Sequence, residues 1–74
     1  MPQPTYQIHI KGHLDQRWCL WFEDFEIRHE FDATGKPVTC MTGSIPDQAA
    51  LYGTISRLRD LGITLISVQK ISKE

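Results

Sequence analysis

The sequence predicts an α+β domain: a four-stranded, mainly antiparallel sheet with one long helix on one face and a short helix after the first strand. Three observations predict it. Residues 46–62, PDQAALYGTISRLRDLG, repeat apolar side chains at helical period between a start and a stop signal. Residues 5–11 and 25–31 alternate apolar with polar side chains, as half-buried strands do. Between 31 and 38, Asp32-Ala-Thr-Gly35-Lys36 supplies the residues of a hairpin turn.

Residues 1–4 hold two prolines and read as a loose tail. In the first strand Tyr6, Ile8 and Ile10 point one way, and Gln7, His9 and Lys11 the other. Next comes HLDQRWCLWFED. Asp15 suits an N-cap, and Leu14, Trp18 and Trp21/Phe22 recur at helical spacing, which predicts a helix of about two turns over 15–22. In the second strand Phe25, Ile27, His29 and Phe31 alternate with Glu26, Arg28 and Glu30. The third runs from 38 to 43, with either Val38 and Cys40 or Thr39 and Met41 inward; composition leaves both registers open.

The long helix follows. Ala50, Leu51, Thr54, Ile55, Leu58 and Leu61 form its core-facing stripe. Pro46 suits a first helical position, Asp47 complements the positive helix end, and Gly62 can take the left-handed conformation that closes it. The last strand, 63–71, is apolar on both sides around Leu65, Ile66 and Val68, as expected of an inner or covered strand. Residues 72–74 fray.

This is the element order of a ferredoxin-like fold with a truncated first helix. Two helical turns rise only about 12 Å, against roughly 23 Å for a seven-residue strand. The alternative is therefore a simple meander of the first three strands.

At 74 residues the chain reads as one domain, 1–74, near the size where a single core is only just sufficient. Oligomerisation is a common remedy, so a homo-oligomer, most simply a dimer, is expected. A net charge of −1 with interspersed signs gives no footprint for nucleic acid or anionic membrane. No apolar run is long enough to span a bilayer and the first residues lack signal-peptide character, which points to a cytoplasmic protein. Cys19 and Cys40 read as ordinary buried or half-buried thiols, since a cytosolic setting disfavours a disulfide and there is no CxxC.

The far side of the long helix is unusual. Ala49, Gly53, Ser56 and Asp60 lie together there, three of them small, where exposed helices normally carry Glu, Lys or Gln. A mid-helix glycine costs roughly 1 kcal/mol against alanine. The pattern fits close approach of a second helix, a strand or a flat ligand, or else a tolerated glycine on a solvated face. Asp47 and Gln48 beside it are explained by capping, or alternatively by contact with a partner's backbone.

The segments GHLDQRWCLWF, TGSIPDQAALYG and RLRDLGITLISV resemble a family of short uncharacterised bacterial and archaeal proteins. The resemblance rests on Gly12, Leu14, Asp15, Trp18, Trp21 and Phe22, then Pro46–Leu51 and Gly53, then Arg59–Gly62, Leu65, Ser67 and Val68. It implies a grouping and no activity. Relatives often carry histidine where this chain has Tyr52, and a phenol with an ordinary pKa of about 10 is no substitute for imidazole in acid–base work.

Candidate chemistry is sparse. His9 and His13, four apart on a strand, stand about 13 Å from one another, too far to share a metal directly. Glu26 and Glu30 suffer the same spacing and read as a solvated strand face, with Lys11 as a possible cross-strand partner. No nucleophile has a recognisable base and oxyanion turn, and no glycine-rich loop meets a helix start. The sequence therefore predicts no metal, no cofactor and no catalytic residue. It points to a small intracellular protein-interaction or regulatory module that self-associates. The alternative is a small-molecule binding or catalytic domain with a pocket lined by Trp18, Trp21 and Tyr52.

Overall fold

The structure, a computed structural model, describes residues 4–71. The chain runs β1 (Thr5–Lys11), α1 (Gln16–Cys19) continued by a 3-10 turn (Leu20–Phe22), β2 (Glu26–Phe31), β3 (Pro37–Ser44), α2 (Gln48–Asp60) and β4 (Leu65–Lys70). The sheet order is β2-β3-β1-β4, every neighbouring pair antiparallel. This is α+β architecture with the expected element order. The meander is excluded, because β1 pairs with β3 and β4 while β2 lies beyond β3. The short first helix and its 3-10 extension do carry the chain past β3. Lys11 therefore has no strand of acids beside it; its partner across the ladder is Val38.

Register decides which side chains meet the helices. Ile8 pairs with Met41 and Ile10 with Thr39, so Thr39 and Met41 take the inner face. There they join Ile8, Ile10, Leu14, Phe22 and Leu58 in the core, with Trp18, Phe25, Ile27, Leu61 and Val68 packed around it. Val38 and Cys40 point to the opposite face, yet both are also buried. Of the stripe on α2, Leu58 is fully buried and Ala50, Leu51, Thr54, Ile55 and Leu61 are half-buried.

The ends of α2 are built from its sequence. Asp47 is the N-cap, its Oδ1 accepting the Ala50 N–H at 2.8 Å. Pro46 thus stands just outside the helix and not at its first position, because the Asp47 carboxylate caps the helix one residue later than the proline would have begun it. At the other end Gly62, at φ +77°, donates to the Arg59 carbonyl while the Ile63 N–H donates to that of Leu58. These are the paired bonds of a Schellman closure, which needs a left-handed residue at Gly62.

The final strand departs from expectation twice. Ile63 is spent on the helix closure, so β4 begins at Leu65. And β4 is an edge strand, not an inner one, leaving Leu65 and Ile66 39% and 53% exposed. At the amino end, the Pro4 carbonyl accepts the N–H of Ile45, so Pro4 is tied to the fold. The remainder of both expected tails, 1–3 and 72–74, lies outside the described residues. Among the described residues no helix is long and apolar enough to cross a membrane.

Candidate functional site

Both helices pack on the sheet face that carries Ile8, Ile10 and Met41. The alternate residues of the same strands make the opposite, uncovered face: His9 and Lys11 from β1, Val38 and Cys40 from β3, Arg28 and Glu30 from β2. A bulge sharpens its geometry. His9 pairs with Ser67, but Ile10 pairs with Leu65, so Ile66 is the extra residue on β4. Its side chain turns onto the open face and lines a concavity of about 320 Å³ with His9, Glu30, Phe31, Asp32 and Val38. A second hollow of about 390 Å³ continues past Val38 and Ile66 to Lys11, Lys36 and Pro37.

Asp32 borders both hollows and is held by its own turn. Its Oδ1 accepts from the Thr34 hydroxyl at 2.6 Å, the Lys36 N–H at 2.9 Å and the Thr34 N–H at 2.8 Å. Those bonds, the Thr34 hydroxyl foremost, hold the carboxyl below the ordinary carboxylate range.

Three side chains on this face converge. The ligand-capable atoms of His9, Glu30 and Cys40 all lie within 4.8 Å of one another. They come from three neighbouring strands: His9 stands directly opposite Cys40, and Glu30 reaches across from β2, where its partner is Val38. His9 Nδ1 lies 3.2 Å from the Ser67 hydroxyl on the fourth strand. His13 and His29 belong elsewhere. Their rings stack at 4.6 Å, with His13 Nε2 2.9 Å from the Glu30 carbonyl oxygen. His9 and His13 are thus separated, as their spacing predicts. The His9–Cys40 adjacency, in contrast, depends on the β3 register that composition left open.

The other candidate residues are distributed over the helical side. Ala49, Gly53 and Asp60 are exposed and Ser56 half-buried along α2, and a Cβ placed on Gly53 would meet nothing within 4 Å. Asp47 is occupied as the cap, and Gln48 is exposed at the first helical position. Trp18 and Trp21 meet edge to face at 5.2 Å, Trp18 half-buried against the core and Trp21 53% exposed. Tyr52 is 61% exposed on α2. The hollow beside Trp18, about 150 Å³, is bordered by Ile10, Lys11, His13, Leu14, Asp15 and Ile63, and by neither Trp21 nor Tyr52. Cys19 and Cys40 are both free thiols, on opposite sides of the sheet.

The fold and this open face define a small α+β domain whose helices, among the described residues, lie on one side of its sheet. The chain belongs to the family described as "Domain of unknown function (DUF8691)", whose model matches residues 5–69. No curated protein and no solved structure matches it.

Proposed function

We propose that the chain is a small interaction module that works by assembling with a second copy of itself and not by catalysis. One observation carries the reading: β4 has the composition of an inner strand and occupies an edge. From Leu65 to Gln69 it holds no charged side chain, and Leu65 and Ile66 are exposed. Guarded only by the bulge at Ile66 and by Lys70 at its end, such an edge presents backbone N–H and C=O groups to another strand. The opposite edge is guarded, since β2 carries Glu26, Arg28 and Glu30.

The modest core supports the same reading. Among the described residues, seven large apolar side chains are exposed against nine that are buried, four of the seven being Leu20, Trp21, Phe31 and Tyr52. A chain of this size gains stability when part of that surface is covered. Antiparallel pairing of β4 with β4 about a two-fold axis joins two sheets into one of eight strands, with the same patch on both subunits.

Sedimentation velocity tests this. The wild-type chain is expected to sediment as a dimer and Ile66→Lys as a monomer with unchanged far-UV circular dichroism. A wild-type chain that stays monomeric at every concentration, or an Ile66→Lys chain that stays dimeric, sinks the edge-strand reading. Gly53→Leu distinguishes the helix flank: loss of the dimer in that variant alone moves the contact to the face of Ala49, Gly53, Ser56 and Asp60.

A further inference from the structure

We infer that His9, Glu30 and Cys40 form a binding site for one zinc-like divalent cation on the uncovered face of the sheet. It is the one such trio of histidine, cysteine and acidic side chains among the described residues, and it is independent of the assembly through β4.

The donor set selects the metal class. One imidazole nitrogen, one thiolate and one carboxylate suit a borderline-soft ion such as Zn²⁺, while Mg²⁺ and Ca²⁺ prefer oxygen alone. Thiolate and carboxylate together supply two negative charges, which balance a divalent ion. Bonds of about 2.0–2.3 Å to N, O and S place tetrahedral ligands roughly 3.3–3.8 Å apart. Atoms as far apart as 4.8 Å therefore close by about 1–1.5 Å, within the reach of side-chain rotation.

The surroundings hold the ligands in place. Cys40 is buried at 4% exposure between its neighbours, and β1 and β3 fix it opposite His9 by an uninterrupted ladder. Ser67 stands where metal-bound histidines usually have an outer partner: in the tautomer whose Nδ1–H donates to its hydroxyl, Nε2 is left bare to ligate. Arg28 pairs with Cys40 across the ladder and Lys11 lies two residues beyond His9 on the same face. These cations oppose the metal's charge, and the two negative charges of the donor set offset them. His9 and Glu30 both border the hollow of Val38 and Ile66, which has room for a water as a fourth ligand.

Cobalt(II) is the probe, because a thiolate bound to it gives a near-ultraviolet charge-transfer band and tetrahedral ligation gives visible bands. The wild-type chain under reducing conditions is expected to bind one equivalent, displaced by Zn²⁺. Cys40→Ser is expected to abolish the charge-transfer band, whereas Cys19→Ser keeps it. Glu30→Gln, a near-isosteric change on a solvent-facing edge strand, is expected to weaken binding by at least tenfold with the circular dichroism unchanged, and Ser67→Ala by about tenfold. The inference is overturned by a wild-type chain that takes up no stoichiometric Co²⁺. It is equally overturned by a band that follows Cys19, or by affinity that Glu30→Gln leaves untouched.

Discussion

The hydroxyl of Thr39, completely buried on β3, accepts the Leu14 N–H at 2.9 Å and donates to the Gly12 carbonyl at 2.7 Å. A side chain inside the sheet thus satisfies both backbone groups where the chain leaves β1 for α1. Thr39→Val keeps the shape and deletes both bonds, leaving a buried N–H without its partner. The expected loss is about 1–3 kcal/mol in urea-induced unfolding. An unchanged midpoint would show that water replaces the hydroxyl there.

The two internal glycines of β3 and α2 are expected to respond in opposite directions. On Gly43 a Cβ would stand 2.8 Å from the Asp24 carbonyl oxygen and 2.9 Å from the Phe25 ring. The carbonyl is backbone, so Gly43→Ala forces β3 away from the segment before β2 and lowers thermal stability. On Gly53 the Cβ meets nothing, and Gly53→Ala is expected to stabilise the isolated fold by about 0.8–1 kcal/mol. A stabilised Gly43→Ala, or a Gly53→Ala weaker than wild type, contradicts the packing described.

Removing the α2 cap has a defined cost. Asp47→Ala frees the Ala50 N–H and is expected to lower stability by about 1 kcal/mol, with Asp47→Ser losing much less. Equal losses in the two variants would mean that the carboxylate acts elsewhere than as a cap.

Acid sensitivity follows from Asp15 and Asp32. Both carboxyls are held below their ordinary value of 3.8 in the folded chain, Asp15 chiefly by the Arg17 N–H and Asp32 chiefly by the Thr34 hydroxyl. A lowered folded pKa means that the unfolded chain takes up the proton first. Their stabilisation is therefore complete above the unfolded value and fades as pH falls through it toward the folded one. In urea melts from pH 6 down to acid, Asp32→Ala is expected to show a shallower decline than wild type below about pH 4. A parallel decline would remove Asp32 from the acid response.

Legibility in the sequence followed from how local each cause was. The long helix was readable because its period, the Asp47 cap and the Gly62 closure all lie within residues 46–62. Asp15 likewise announced the short helix, where its side chain accepts the Arg17 N–H. The register of β3 was not readable, since Val38 and Cys40 are buried on one face and Thr39 and Met41 on the other. A strand buried on both sides has no alternation to read. That ambiguity also hid the His9–Glu30–Cys40 cluster, because its members are distant in sequence and meet only through strand pairing. β4 misled for the opposite reason: its apolar pattern is that of a covered strand, and its position at the rim is fixed by topology.

The unlike rims of this sheet have a consequence for stoichiometry. In the proposed pairing of two copies through β4, the border of each that is uncharged from Leu65 to Gln69 is consumed, and both outward borders become the Glu26–Arg28–Glu30 side. Further chains then encounter only like, guarded margins. On that proposal growth stops at a pair, and the arrangement that invites one neighbour discourages a fibre.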